Sequence, residues 1–149
     1  MSAAPPAFRA PWWLPGGHAQ TIWGAKLARH APQPGPRPRW LRERWATPDG
    51  DFIEVDTLDT PAPALASGAS GVADVPLLVL FHGLEGSSRS HYAQAFAHWA
   101  QAAGVRLVVP HFRGCSGPLN LGPRAYHSGD FEEIGWILGR LRARSTAPL

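Results

Sequence analysis

The sequence has a single cysteine, Cys115, and this scarcity excludes an internal disulfide. A chain without disulfides fits a reducing compartment, and the first ten residues lack the apolar core of a secretory signal, so we expect a cytoplasmic protein. No apolar run approaches the ~18 residues of a membrane span. With 17% charged and 44% hydrophobic residues, the 149-residue chain has the composition of a globular domain.

Tryptophan is concentrated near the amino terminus, where five of the seven tryptophans fall within the first 45 residues. Prolines make this part averse to helix, apart from a predicted short helix from Gly17 to Arg29 with Ile22, Trp23 and Leu27 on its apolar side. We interpret residues 1–38 as a Trp/Pro-rich arm and residues 39–149 as the main domain. The arm either packs on the domain as a strap or lends its rings to an acyl-chain pocket or a membrane surface.

The densest basic stretch combines four arginines with two tryptophans, namely Arg37, Arg39, Arg42 and Arg44 beside Trp40 and Trp45. With the net charge of +3, this stretch could offer a stacking platform to nucleic acid or a contact to an anionic lipid surface. The solvated face of a strand explains alternating arginines equally well. Because no nucleic-acid-binding motif accompanies them, no nucleic-acid partner is expected, whereas a peripheral lipid contact stays open.

A β-hairpin is predicted at the start of the main domain. Its strands run from Arg39 to Thr47 and from Asp51 to Leu58, and Pro48-Asp49-Gly50 supplies the turn between them. The following stretch, Asp59 to Asp74, is rich in small residues and almost uncharged, so it is interpreted as a flexible linker.

A strand, a helix and a second strand follow the linker. The apolar run Leu77 to Phe81 is entered through Pro76 and predicts a strand buried on both faces. Ser90 is suited to cap a helix from His91 to Ala103, and Val105 to Pro110 predicts the next strand. The apolar residues that recur at helical spacing are Tyr92, Phe96 and Trp99. This succession predicts a βαβ unit with parallel strands.

The last predicted helix begins at Asp130 and carries arginines in its last turn, as the helix dipole favours. Asp130 and Glu133 resemble a capping box. The predicted inward stripe consists of Phe131, Ile134, Leu138 and Leu141.

Small, turn-forming residues follow the strand Leu77 to Phe81 directly, in the order His82-Gly83-Leu84-Glu85-Gly86-Ser87-Ser88. The carboxyl end of a parallel strand is where open α/β sheets assemble their ligand crevices. A loop of this composition can direct backbone N–H groups towards a developing anion. It is therefore the first candidate for a functional site.

Four segments resemble, in the same order, the start of the YheT-like family of α/β-fold hydrolases. They are PWWLPGGHAQTIWG (Pro11 to Gly24), HGLEGSSRSHY (His82 to Tyr92), FRGCSG (Phe112 to Gly117) and RAYHSGD (Arg124 to Asp130). The resemblance implies an α/β fold class, namely the amino-terminal half of an α/β-hydrolase, with a β-hairpin and then βαβα around a parallel sheet. That fold continues into a G-x-S-x-G nucleophile elbow, so we expect a chain truncated before the elbow.

The resemblance also implies an activity. Members of the family are expected to cleave carboxylic esters, such as small-molecule acyl or lipid esters, through an acyl-serine intermediate and without a cofactor. The backbone N–H of Leu84 would be one oxyanion donor. The implied supporting residues of its loop are His82, Gly83, Glu85 and Gly86. The serine, the acid and the catalytic histidine, which comes last in this fold, would lie beyond Leu149, so His82 is not the base and this chain alone would be inactive.

The resemblance further implies that the strand Leu77 to Phe81 lies between the strand Val105 to Val109 and the strand that carries the serine. An alternative function is a catalytically inactive fragment or a binding module. In that case the tryptophan-rich arm and the basic hairpin would contact a partner or an anionic lipid surface.

The loop after the second strand contains three residues assigned as possible members of the crevice, Arg113, Cys115 and Ser116. Gly114-Cys115-Ser116-Gly117 is not a nucleophile elbow, because Pro118 stands where the motif requires glycine. Ser116, His127 and Asp130 are therefore interpreted as a decoy triad.

Two other kinds of chemistry are weighed for the remaining polar residues. Cys115 with His111 or His127 could form a thiol nucleophile and its base, but no cysteine-hydrolase signature surrounds it. Four histidines could be considered as zinc ligands, namely His82, His91, His111 and His127. Their spacings match no metal motif, so no metal is expected.

Overall fold

The computed structural model describes residues 8–27, 36–60, 75–145 and 148–149. The chain divides into two compact units, residues 1–32 and 33–149. In the first unit, α1 (Gly16–Ile22) is followed by a π-helical segment, Trp23–Leu27, and the Trp13 and Trp23 rings meet edge to face at 5.0 Å. The predicted helix is thus confirmed as far as Leu27. Parts of the arm (1–7 and 28–35) and of the predicted linker (61–74) lie outside the described residues.

The second unit begins with the predicted hairpin. Strands β1 (Trp40–Ala46) and β2 (Phe52–Leu58) pair antiparallel, with Trp40 opposite Leu58 and Ala46 opposite Phe52. Gly50 has a φ of +82°, a backbone conformation that glycine adopts readily, and its N–H closes the turn on the Thr47 carbonyl at 3.0 Å. The hairpin prediction is confirmed.

Two further strands complete a four-stranded sheet in the order β1-β2-β4-β3. Strand β3 (Leu77–Val79) pairs parallel with β4 (Arg106–His111), and β4 pairs antiparallel with β2. The parallel βαβ unit is therefore confirmed.

The expectation that Leu77 to Phe81 is buried on both faces is wrong for most of the run. Leu77 is buried, but Leu78 through Phe81 are only partly buried. The physical reason is position, because β3 forms the edge of the described sheet. On its outer side, the hydrogen bond from the Leu77 N–H to the Pro148 carbonyl, 3.0 Å long, is the one backbone contact among the described residues.

Helix α2 (His91–Ala103) has the predicted bounds, and Gly104 ends it with a φ of +64°. Its buried residues are Ala93, Ala97 and Ala100, whereas Phe96 and Trp99 are 43% and 54% exposed. Alanines and not the recurring aromatic residues therefore form the inward face of α2, and their small size allows the helix to lie close to the sheet. Ser90 precedes the helix without capping it, because its Oγ accepts a hydrogen bond from the Ser87 N–H instead.

Helix α3 (Phe131–Ala143) also lies where it is predicted, and its inward face matches the predicted stripe only in part. Its buried residues are Glu133, Ile137 and Leu141, and Phe131 is 77% exposed. The predicted capping box is wrong, because Asp130 makes no side-chain cap. Asp130 binds Arg124 and Glu133 binds Arg113, so stronger ionic partners draw both carboxylates away from the helix end.

The two helices cover opposite faces of the sheet. On one face α2 packs on a cluster that consists of Leu58, Ala97, Ala100, Leu107 and Val109. On the other face α3 packs on a cluster that consists of Trp45, Ile53, Val55, Leu77, Val108, Ile137 and Leu141. Leu107 and Val108 belong to different clusters, as the alternation of side chains along a strand requires. Among the described helices, none is long and apolar enough to cross a membrane.

The outer edge of β3 generates a prediction about association. An unpaired apolar edge is a template for a further strand, so the purified 149-residue chain is expected to self-associate as its concentration rises. Leu80 N–H and the Pro76 carbonyl both pair with β4, which places the Val79 N–H on the outer side. Val79→Pro removes that donor and should weaken the association measured by sedimentation velocity. A monomeric, sharply cooperative unfolding transition of the unaltered chain would contradict the prediction.

Candidate active site

The His82 side chain braces the loop that follows β3. It is 5% exposed, and its Nε2 accepts a hydrogen bond from the Phe112 N–H at 3.0 Å. The proton therefore resides on Nδ1, which donates to the Gly83 carbonyl at 2.8 Å. Burial lowers the pKa of His82, so the ring stays neutral with both nitrogens engaged. No ring nitrogen is left to take a proton from a nucleophile.

Residues 83–86 form a tight turn that presents one backbone N–H. The Gly86 N–H donates to the Gly83 carbonyl at 2.9 Å, and Glu85 has a φ of +50°. The Gly83 N–H donates to the Tyr92 hydroxyl at 3.0 Å, and the Glu85 N–H donates to the Tyr126 hydroxyl at 2.6 Å. Between them, the Leu84 N–H makes no hydrogen bond to any described residue, and the Leu84 side chain is 89% exposed.

Gly86 is required by close packing beneath the turn. An added Cβ would lie 2.9 Å from the His82 Cβ and 3.0 Å from the Gly83 carbonyl oxygen, and it would overlap the Tyr92 hydroxyl. A side chain here would have to push the turn away from α2. Because Gly86 has no side chain, the turn can pack closely against His82 and the Tyr92 hydroxyl.

A buried ionic cluster anchors the far end of the loop. Asp56, 1% exposed on β2, accepts two hydrogen bonds from Arg42 (2.7 and 2.8 Å) and one from the Ser88 hydroxyl (2.5 Å). His111 Nε2 lies 3.0 Å from the same carboxylate. Burial alone would raise the pKa of Asp56, but the hydrogen bonds from Arg42, His111 and Ser88 outweigh it and hold that pKa well below its ordinary value.

This cluster contains a serine, a histidine and an aspartate, yet it is not a catalytic relay. The Ser88 hydroxyl donates to Asp56 and not to His111, and Ser88 is 1% exposed, so no substrate can reach it. Sequence reasoning missed this group. The available signal was a strand in which the carboxylates Glu54 and Asp56 alternate with apolar residues, because buried acids require partners.

Arg113 organises the loop after β4. It is 5% exposed and binds three carboxylates, those of Asp49 (2.9 Å), Asp51 (3.2 Å) and Glu133 (2.8 Å). Asp51 also accepts the N–H of Leu121 at 2.9 Å. Arg113 therefore ties the hairpin turn, the loop and α3 together, and its guanidinium is not available to a substrate.

The other assigned residues of this loop occupy different places. Ser116 is 7% exposed, and its carbonyl accepts a hydrogen bond from Arg42 at 2.9 Å. The Cys115 thiol is partly buried and forms a hydrogen bond with the Tyr126 hydroxyl, so the thiol lies next to the His82 loop. Burial raises the pKa of Cys115, which disfavours the thiolate that a cysteine nucleophile needs.

The structure gives separate partners to the three residues of the decoy triad. Asp130 Oδ1 binds Arg124 at 2.6 Å, and His127 Nδ1 accepts the Gly129 N–H at 3.2 Å. Ser116 faces the Arg42 side, so no hydrogen bond joins the three. Among the described residues, no cluster of three or more histidines, cysteines or carboxylates is arranged to hold a metal ion.

The basic stretch of β1 is neutralised by the neighbouring strand. Arg42 binds Asp56 and Glu54, and Arg44 binds Glu54 at 2.7 Å. Trp45 is 2% exposed, with the Arg140 guanidinium 4.7 Å from its ring centroid. The stacking platform that the sequence suggested does not exist at Trp45, because that ring is enclosed.

The sequence is similar to several known proteins. The chain is 45% identical over 101 residues, 68% of its length, to the Escherichia coli K12 protein named "Putative esterase YheT", of which the match covers 27%. It is 30% identical over 119 residues, 76% of its length, to mouse "Phospholipase ABHD3", covering 28% of that protein. An "Abhydrolase domain-containing protein" of Dictyostelium discoideum is 38% identical over 65 residues, 43% of this chain and 16% of that protein.

No family model and no solved structure matches the chain. The chain spans about a quarter of the length of the Escherichia coli and mouse relatives that it matches. The mixed sheet between helices and the similarity to these proteins define an α/β-hydrolase fold. Within that class, the chain belongs to the YheT-like family, which confirms the resemblance inferred from the four sequence segments.

The Asp56 cluster predicts that two arginines near the hairpin contribute unequally to the free energy of unfolding. Arg42→Met leaves a buried carboxylate without its cation and should lower the free energy of unfolding by about 2–4 kcal/mol. Arg39→Met is the matched control, because Arg39 lies 3.8 Å from Asp59 with both side chains solvated, and it should cost less than about 0.5 kcal/mol. Urea denaturation measures both values. Equal losses would show that the cluster does not carry the stability assigned to it.

Proposed function

We propose that this chain supplies the oxyanion-binding loop of a serine hydrolase that cleaves carboxylic esters. The observation that carries the proposal is the Leu84 N–H, which makes no hydrogen bond to the described residues while the amides on both sides of it are held. A donor that is fixed before the reaction loses no free energy to reorganisation when negative charge develops on the substrate. The turn is placed just past the carboxyl end of β3, where ligands of open α/β sheets bind.

The proposed mechanism uses this donor in the acyl-transfer step. A serine oxygen attacks the ester carbonyl while a histidine takes the serine proton, and the carbonyl oxygen takes up the negative charge of the tetrahedral intermediate. The intermediate then expels the alcohol, which receives that proton, and leaves the acyl-serine. The Leu84 N–H donates to the carbonyl oxygen, together with the N–H that follows the nucleophile. The neutral His82 ring supports the loop from below through Gly83 and Phe112.

We place the nucleophile, the acid and the catalytic histidine outside these 149 residues. The sequence contains no G-x-S-x-G segment. Ser88 and Ser116 are buried, and the Ser88 hydroxyl is engaged with Asp56. The names of the relatives, esterase and phospholipase, support acyl or lipid esters as the substrate class.

The alternative function, a binding module that uses the basic hairpin, has less support. Two of its arginines, Arg42 and Arg44, are paired with carboxylates of β2, so little of their charge remains for an anionic surface. Trp45 is enclosed.

The absence of a nucleophile predicts that the purified 149-residue chain does not hydrolyse a short-chain nitrophenyl ester above the buffer rate. Release of nitrophenol measured by absorbance tests this directly. Turnover that disappears in Ser88→Ala or Ser116→Ala would place a working nucleophile inside the chain and would overturn this part of the proposal.

A hybrid enzyme tests the oxyanion role. The matched segment of Escherichia coli YheT is replaced by that of this chain, and Leu84→Pro is compared with Leu84→Ala. Proline is favoured at the second position of a turn such as Gly83–Gly86, so it removes the N–H without opposing the turn. Relative to Leu84→Ala, which keeps the N–H, kcat for a nitrophenyl ester should fall roughly 10²–10³-fold. Equal kcat values would show that this N–H does not bind the oxyanion.

A further inference from the structure

The chain has two tyrosines in all, Tyr92 and Tyr126, and both hydroxyls meet the same turn. Tyr92 accepts the N–H of Gly83 and Tyr126 accepts the N–H of Glu85. These are the two amides that flank the Leu84 N–H. The residues come from different elements, since Tyr92 lies in the first turn of α2 and Tyr126 lies in the loop before α3.

Tyr92 approaches the turn from the α2 side. Its hydroxyl occupies the space that a Cβ at Gly86 would fill, so it lies directly against the turn. The contact depends on the missing side chain at Gly86. The hydrogen bond at 3.0 Å fixes the direction of the His82–Gly83 peptide, which directly precedes the peptide that carries the Leu84 N–H.

Tyr126 is held by an aromatic stack. Its ring lies parallel to that of Phe112, with an interplanar angle of 4° and 5.2 Å between centroids, and Phe112 stacks in turn on Phe81 at 5.9 Å. Phe112 also donates its N–H to His82. One residue therefore places both His82 and Tyr126 against the loop.

The Tyr126 hydroxyl stays protonated in this setting. Burial raises the pKa of Tyr126, and the Cys115 thiol is a further partner of its oxygen. A neutral phenol can accept the Glu85 N–H and still donate its own proton. The acceptor is thus retained throughout the ordinary pH range.

We propose that Tyr92 and Tyr126 are positioning residues that aim the Leu84 N–H at the reacting acyl oxygen. The inference rests on the proposed function of the loop. Glu85 has a φ of +50°, a conformation that a non-glycine side chain rarely adopts, so the turn needs external support to persist. Two hydroxyls hold the His82–Gly83 and Leu84–Glu85 peptides, which lie on either side of the peptide that carries the Leu84 N–H, and they leave that N–H without a partner among the described residues.

Amide-resolved NMR of the 149-residue chain tests the proposal. In the unaltered chain, the Leu84 amide should exchange with solvent faster than the Gly83 and Glu85 amides, and its order parameter should be near the rigid value of about 0.85. Tyr92→Phe keeps the ring and removes the acceptor, so Gly83 exchange should rise roughly fivefold or more while Glu85 is little changed. Tyr126→Phe should show the reverse pattern. In both variants the Leu84 order parameter should fall towards about 0.6.

Each variant is the matched control for the other, because general destabilisation would accelerate both flanking amides together with those of β4. An unchanged Leu84 order parameter in both variants overturns the proposal. A Leu84 amide that is already protected in the unaltered chain overturns it without any variant. Turnover does not enter these measurements. A hybrid enzyme insensitive to Leu84→Pro would therefore refute the oxyanion role of the Leu84 N–H even where the tyrosines hold the turn, whereas a sensitive hybrid with unaltered Leu84 dynamics in the tyrosine variants would refute the positioning role alone.

Discussion

The burial of one carboxylate constrains the architecture around the candidate site. Asp56 is almost fully removed from water, and an ionised carboxylate in that position is costly unless it is paired and hydrogen-bonded. Its partners come from β1 (Arg42), from the end of β4 (His111) and from the residue that closes the functional loop (Ser88). The need to satisfy a single charge therefore brings three separate segments to one point.

The loop between β3 and α2 is held at both ends by contacts to two consecutive residues at the end of β4, His111 and Phe112. Ser88 at its far end is held with His111 through Asp56, and His82 at its near end is held by the Phe112 N–H. Fixing both ends reduces the number of conformations open to the intervening residues, so that the two tyrosine contacts suffice to define the turn around Leu84. Preorganisation of the donor thus begins in β4 and not in the loop itself.

Local patterns in the sequence predict where the helices and strands lie. Contacts between residues that are distant in the chain determine which face of each helix or strand is buried. The Asp49-Gly50 turn and the alternation around it are sufficient for the hairpin, since both signals are confined to neighbouring residues. The period alone does not select the inward face of α2, because Tyr92, Phe96 and Trp99 satisfy the helical period as well as the buried alanines do. The Ser88 to Asp56 contact joins residues 32 positions apart and leaves no periodic trace. The cytoplasmic location stays a prediction.

The strength of a hydrogen bond from the Leu84 N–H depends on how far water is excluded from its surroundings. Leu84 is 89% exposed, so water competes with any anion for its N–H, and a hydrogen bond to developing charge gains most where water is excluded. The supports described for the loop come from α2, from β4 and from the segment after β4. The outer side of β3 is the edge that no described strand occupies. A strand paired there would shield the donor and stiffen β3, so the chemistry of the loop and the completion of the sheet are physically coupled.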